Sequence, residues 1–136
     1  MSRTKRSATR VLIFCIGAFL IYGAWSAFSN RLYPSDIIWR SFVLQGGISA
    51  FTTLIISGMI EWVYLASASI KNRMIISVLI PGLICSGLHL VVNYVGETPE
   101  LIQTILPSVI MCFLFGGVYA AGLEKAARAT EATATG

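Results

Sequence analysis

A chain of 136 residues that is 56% apolar and 12% charged, with a mean hydropathy of +0.77, lies far outside the balance of a water-soluble domain. Its length allows four membrane-spanning helices of roughly 20 apolar residues each and leaves no room for a separate soluble domain. The net charge of +4 does not imply a nucleic-acid partner, because four of the ten basic residues, Arg3, Lys5, Arg6 and Arg10, stand directly before a long apolar run and read as topology signals facing anionic lipid.

Residues 1–10 are accordingly read as a basic cytoplasmic segment. The run VLIFCIGAFLIYGAWSAFS that follows has the make-up of a signal peptide, with Ala24 and Ser26 imitating a cleavage site, but it is longer than a signal core and is assigned as a retained first span over about 11–29. In RLYPSDIIWR, Tyr33 and Trp39 fit the headgroup level, and Pro34 breaks the chain ahead of Ser35 and Asp36. The second helix is predicted over about 41–68. A short loop containing Lys71 and Arg73 leads into the third, over about 74–94, which contains Pro81.

In the loop 96–100, Gly96 is a helix stop, Thr98 an N-cap, Pro99 a first helical residue and Glu100 a first-turn acid. The fourth helix then covers about 100–123, with Pro107 predicted to kink it, and 124–136 reads as a polar tail. The fold class is thus all-α: a polytopic four-helix transmembrane bundle over 11–123 with short loops. Basic residues before the first helix and around residue 72, against Glu97 and Glu100 in the last loop, predict cytoplasmic amino and carboxyl termini. Arg31 and Arg40 beside Asp36 fit that orientation less well.

Membrane helices associate through close backbone approach at small residues and through interhelical hydrogen bonds. The predicted seams are Gly46, Ala50, Thr53, Ser57 and finally Glu61 on helix two; Gly82, Ser86, His89 and Asn93 on helix three; Ser108, Cys112, Gly116 and Ala120 on helix four; and Gly23 and Ala27 on helix one. Counting helical rise from the cytoplasmic anchors, His89 lies about 24 Å up, in one layer with Thr53, Ser108, Tyr22 and Ser26. A neutral imidazole bonded to those hydroxyls is the structural reading of the only histidine. The functional reading is a proton-carrying or ligand-contacting group, for which an intramembrane ionisable residue is the default candidate.

Glu61, the only acid inside a predicted span, counts about 15 Å up and so misses His89 by roughly 9 Å. Beside Trp62 and Tyr64 it reads as an interfacial acid pairing with Lys71, Arg73 or the amino-terminal basic residues. Its sharper reading is a proton- or cation-binding carboxylate. Cys15, Cys85 and Cys112 have no metal-ligand spacing and are expected as free thiols; no metal or cofactor is expected, and no catalytic motif occurs.

The sequence therefore predicts a small integral protein of a bacterial inner membrane without enzymatic activity. Its expected role is that of an accessory or scaffold subunit, packing with itself as a homo-oligomer or with a larger envelope complex, its other partner being the lipid bilayer. The alternative is a small dimeric transporter or lipid flippase using Glu61 and His89 in a membrane cavity. In length and helix count the chain is similar to the small multidrug transporters, whose essential glutamate lies in the first helix, where this chain has no acid.

Overall fold

The computed structural model describes residues 3–134, and the side chains of residues 12–129. The side chains of the basic segment and residues 135–136 of the predicted tail lie outside the described residues. The described residues form four helices joined by short connections: α1 (Arg3–Ser29), α2 (Ser35–Ala66), α3 (Arg73–Val95) and α4 (Leu101–Ala134). Among the described residues there is no strand. All four helices are long and apolar enough to cross a membrane.

The helices overrun the predicted spans because apolar composition marks the hydrocarbon layer, not the end of the backbone hydrogen-bond ladder. α2 begins at Ser35 rather than at 41. Pro34 supplies a preset φ of −54°, its carbonyl accepts the amides of Ile37 and Ile38 at 3.0 and 3.1 Å, and Asp36 sits in the first turn, where a negative charge suits the helix dipole. α4 continues past Leu123 to Ala134, so most of the predicted tail is helical. At 32 residues, α2 is about 48 Å long and exceeds a hydrocarbon core of about 30 Å.

Consecutive helices run antiparallel. The connections 30–34 and 96–100 share one end of the bundle, the paired-loop end; the 67–72 turn shares the other with the start of α1 and the end of α4. α2 touches every other helix, whereas among the described residues α1 and α3 do not touch. Glycines set the closest approaches. A methyl group on Gly46 would come 2.7 Å from the Phe19 carbonyl oxygen, and one on Gly23 would come 3.0 Å from that of Phe42, so each helix seats a phenylalanine on the other's glycine. The two rings meet edge to face at 5.5 Å. Gly82 gives α3 the same approach to Phe113 of α4.

The distribution of side chains is inverted relative to a soluble protein. Phe14, Leu32, Trp62 and Val118 face outward, while Gln45, Asn30, Asn93, His89 and Thr104 are almost completely enclosed. One apolar cluster, Ile56, Ile60, Cys85 and Ala120, has Val78, Cys112, Tyr119 and Leu123 packed against it, and Ala18, Ile48, Val63 and Ile105 are buried outside it.

The loop before α4 shows why Gly96 is a glycine. Gly96 has an ordinary right-handed φ of −76°, and the left-handed position falls to Glu97, at φ 52°. The amides of Glu97 and Thr98 return to the carbonyls of Tyr94 and Asn93, both at 3.0 Å, which is the Schellman pattern with a non-glycine residue in the left-handed place. A methyl on Gly96 would displace the end of the Leu44 side chain and come 3.1 Å from the Val92 carbonyl oxygen.

Candidate functional site: a buried polar network

Gln45, nearly three turns into α2, is the hub of the buried polar groups. Its side-chain carbonyl accepts from Asn93 Nδ2 at 2.6 Å and stands 3.4 Å from His89 Nδ1. Its Nε2 donates to Ser108 Oγ at 2.7 Å, and Ser49 Oγ lies 3.3 Å from the same hydroxyl. One amide thus ties α2 to both α3 and α4. Gln45 and Asn93 are fully buried and His89 is 1% exposed, so each bond replaces a contact with water that a membrane interior does not offer.

The bonding fixes the imidazole tautomer. With the Gln45 carbonyl oxygen as acceptor, Nδ1 carries the proton and Nε2 accepts. Thr52 Oγ1 lies 3.3 Å from Nε2, and the same hydroxyl can instead donate to the carbonyl of Ile48 at 2.9 Å or of Ser49 at 3.2 Å. The Thr52 proton therefore has three acceptors within reach. None of the three ion pairs among the described residues involves His89.

Towards the paired-loop end the network continues in two branches. Thr98 donates to Asn93 Oδ1 at 3.2 Å, so Thr98 anchors the loop to α3 instead of capping α4 as the sequence predicts. The cap on α4 comes from the end of α1: Asn30 Oδ1 accepts the Glu100 amide at 3.0 Å, while Asn30 Nδ2 donates to Thr104 Oγ1 at 3.0 Å and to the Ser26 carbonyl at 2.8 Å. Beside it, Trp25 Nε1 donates to the Gln103 carbonyl at 2.8 Å. That carbonyl is the one Pro107, four residues on and without an N–H, leaves unpaired in the helix. The Ser26 hydroxyl is buried and has no hydrogen-bond partner among the described residues.

Tyr33, in the loop itself, donates to Glu100 at 3.2 Å, a bond that raises its phenol above the ordinary range. An open cleft of about 630 Å³ at this end is lined by Tyr94, Val95, Glu97, Thr98, Pro99 and Leu101. None of the hub residues lines it.

The other end of the bundle is closed by charge. Glu124 accepts from Tyr64 at 2.6 Å, from Arg73 through Nε at 3.1 Å and Nη2 at 3.0 Å, and from Arg128 at 3.2 Å. The Arg73 guanidinium also lies over the Tyr64 ring at 4.7 Å. α2, α3 and α4 are latched there by one carboxylate. Arg73, a predicted partner of Glu61, is engaged in this latch.

The predicted site residues fall in different places. His89, Asn93 and Ser108 belong to the network. Thr53 bonds only within its own helix, to the Ser49 carbonyl at 2.7 Å, and its neighbour Thr52 meets the imidazole. Tyr22 and Ser26 stand on α1, which among the described residues does not touch α3, and the α1–α2 contacts set them level with Val43 and Trp39, nearer the paired-loop end than Gln45 and Thr52, the partners of His89. Glu61 is exposed on the outer face of α2, nine residues or about 13.5 Å of rise from Thr52, so the structure does not bring it to His89.

Of the predicted packing residues, Gly46 faces Phe19, Gly82 faces Phe113 and Gly116 faces Val78 and Ile60; Ala120 and Cys112 are in the apolar cluster. Ala50 and Ser57 are partly exposed, and Ser86 bonds back to the Gly82 carbonyl at 2.7 Å. Cys15, Cys85 and Cys112 are free. Among the described residues no three His, Cys, Asp or Glu side chains converge as metal ligands would. Gln45, Asn30 and Thr104 are absent from the sequence-based selection, although a glutamine amid apolar residues is itself a signal, since a buried amide in a membrane helix demands partners.

Comparison of the chain with family models, curated proteins and solved structures returned no match.

Proposed function

We propose that this protein is a non-enzymatic packing element of a bacterial inner membrane: an accessory or scaffold subunit with both termini in the cytoplasm, associating with itself or with a larger envelope complex. The observation that carries the reading is the closure of the polar network. Every bond of His89 and Gln45 runs to another side chain of the same bundle, and the one acid within the apolar stretches, Glu61, faces away from it.

A coupled transporter needs a titratable group that meets alternately one side of the membrane and the other. Here the imidazole is enclosed and the carboxylate stands on another face. Buried amides that fix which helices meet, and in what register, are instead the expected equipment of a rigid bundle.

The test is proton-coupled flux in vesicles containing the purified protein, compared for the parent, His89→Ala and Glu61→Gln. No flux above protein-free vesicles is expected in any of them. Flux in the parent that either substitution abolishes would replace this reading with that of a small dimeric transporter. Labelling of a cysteine introduced at Pro99 from outside intact cells checks the orientation; labelling only after the inner face is opened overturns it.

A further inference from the structure

We infer that the cleft at the paired-loop end holds the headgroup of phosphatidylethanolamine, with the ammonium on the Glu97 carboxylate and the phosphate on Arg40. Glu97 lines the cleft together with Tyr94, Val95, Thr98, Pro99 and Leu101. Arg40 meets it from α2, donating to the Glu97 carbonyl at 3.3 Å and setting a guanidinium nitrogen 3.7 Å from the carboxylate. That ion pair is too long for a hydrogen bond and both side chains are well exposed, so the two charges stand side by side without saturating one another. Of the five N–H donors of Arg40, the Glu97 carbonyl takes one, and among the described residues no donor is bonded to the carboxylate.

Backbone conformation adds an independent observation. Glu97 occupies a left-handed φ of 52°, which glycine adopts freely and a residue with a Cβ does not. Residues held against their backbone preference concentrate at ligand clamps, and an exposed ion pair contributes too little to account for this one. The turn delivers a carboxylate to the wall of a cleft.

Level and charge select the occupant. The cleft lies where α3 ends and α4 begins, at the mouth of two spans, and the exposed rings of Tyr33, Trp39 and Tyr94 mark the headgroup level at this end of the bundle. An apolar track leads from it into the hydrocarbon layer. Val95, Val91 and Gly87 follow one another at four-residue spacing down α3 over about 12 Å; both valines are well exposed, and Gly87 has nothing within 4 Å of where a side chain would begin. An acyl chain fits there, whereas a soluble phosphoester has no use for it. A cation beside an anion matches a headgroup whose own ammonium and phosphate are joined by a short ethylene bridge, each charge meeting its opposite. Phosphatidylglycerol offers Glu97 no cation, and phosphatidylcholine offers one without an N–H for the carboxylate to accept.

The experiment titrates the purified full chain, in detergent micelles, with phosphatidylethanolamine, phosphatidylcholine and phosphatidylglycerol of matched acyl chains, and counts bound lipid by native mass spectrometry. Phosphatidylethanolamine is expected to bind about tenfold or more tighter than the other two, the difference that losing a charge-assisted hydrogen bond makes. E97Q brings it down to the level of phosphatidylcholine, R40Q weakens all three lipids, and E61Q, at another level of the bundle, changes none. Helical circular dichroism of each variant reports folding separately. Equal binding of the three lipids by the parent overturns the inference, as does a preference that survives E97Q or binding indifferent to R40Q. Glycerophosphoethanolamine, the same headgroup without acyl chains, should compete poorly; if it competes as well as the lipid, the occupant is a soluble phosphoester and the lipid assignment fails.

Discussion

At the level of Gln45 the helices meet through two amides, an imidazole and hydroxyls; about 22 Å further along α2, at the level of Ile60, they meet through Ile56, Ile60, Cys85 and Ala120. In water the second kind of contact would dominate stability. In a bilayer, lipid chains are as apolar as isoleucine, so the apolar layer contributes packing without the gain of leaving water, and the polar layer alone distinguishes one register from another. The difference teaches that the isoleucine cluster holds whatever arrangement the amides select.

The largest effect that could break this comparison is expected at the hub. Gln45→Leu removes the bonds to Asn93, His89 and Ser108 and leaves those groups buried; at about 0.6 kcal/mol per bond, with additional cost for orphaned donors, the loss is about 2 kcal/mol. Ile60→Ala in the apolar layer removes contacts but no transfer from water, and should cost about 1 kcal/mol, less than the 2–5 typical of soluble cores. Reversible unfolding in mixed detergent micelles measures both. If Ile60→Ala is the more damaging, the division of labour is wrong.

A smaller loss is expected at the termini end. Glu124→Gln keeps an acceptor for Tyr64 but removes the charge that holds Arg73 and Arg128, so its thermal midpoint should fall below the parent's at low salt and approach it at high salt. A salt-independent loss would mean that the latch works through shape instead of charge.

Depth was legible on α2, α3 and α4, less so on α1, and azimuth was not. Helical rise counted from charged anchors set His89 and Ser108 in one layer and kept Glu61 out of it, and the structure puts them there. The same count grouped Tyr22 and Ser26 with His89, but the α1–α2 contacts set them nearer the paired-loop end, level with Val43 and Trp39, because α1 runs on to Arg3 and a count from Arg10 begins too far in. Thr53 in place of Thr52 is an error of azimuth: one residue along a helix is about 100° around it. Gln45 escaped notice because the seams were traced through small residues, and a glutamine is not small. The start of α2 was legible in Pro34, Ser35 and Asp36, which mark a helix start although the apolar count begins at Ser41, whereas beyond the hydrocarbon layer the end of α4 has no apolar pattern to betray it.

A third prediction concerns the join between α1 and α4. Trp25→Phe removes the donor to the Gln103 carbonyl and should cost about 0.6 kcal/mol. Pro107→Ala restores an amide that can take the same carbonyl in the helix ladder. In that background Trp25→Phe should therefore cost close to nothing, and the double-mutant cycle reads the coupling directly. Equal costs of Trp25→Phe in both backgrounds would show that the indole acts by packing alone.

The smallest effect is also the one whose sign is least intuitive. Glu97 holds a left-handed φ of 52° in a position that glycine adopts freely, at a cost of roughly 1 kcal/mol for a residue with a Cβ. What it returns is an ion pair with Arg40 at 3.7 Å, both side chains being well exposed, 44% and 82%, a contact worth about 0.5 kcal/mol at most. Arg40 also donates to the Glu97 carbonyl at 3.3 Å, a backbone bond that any residue there would keep. Glu97→Gly should therefore stabilise the bundle by about 0.5 kcal/mol, with the Thr98 to Asn93 anchor intact. Should it destabilise by that amount, the Arg40 pair matters more than the backbone strain, and the paired-loop end would have to be counted, like the termini end, as held by charge.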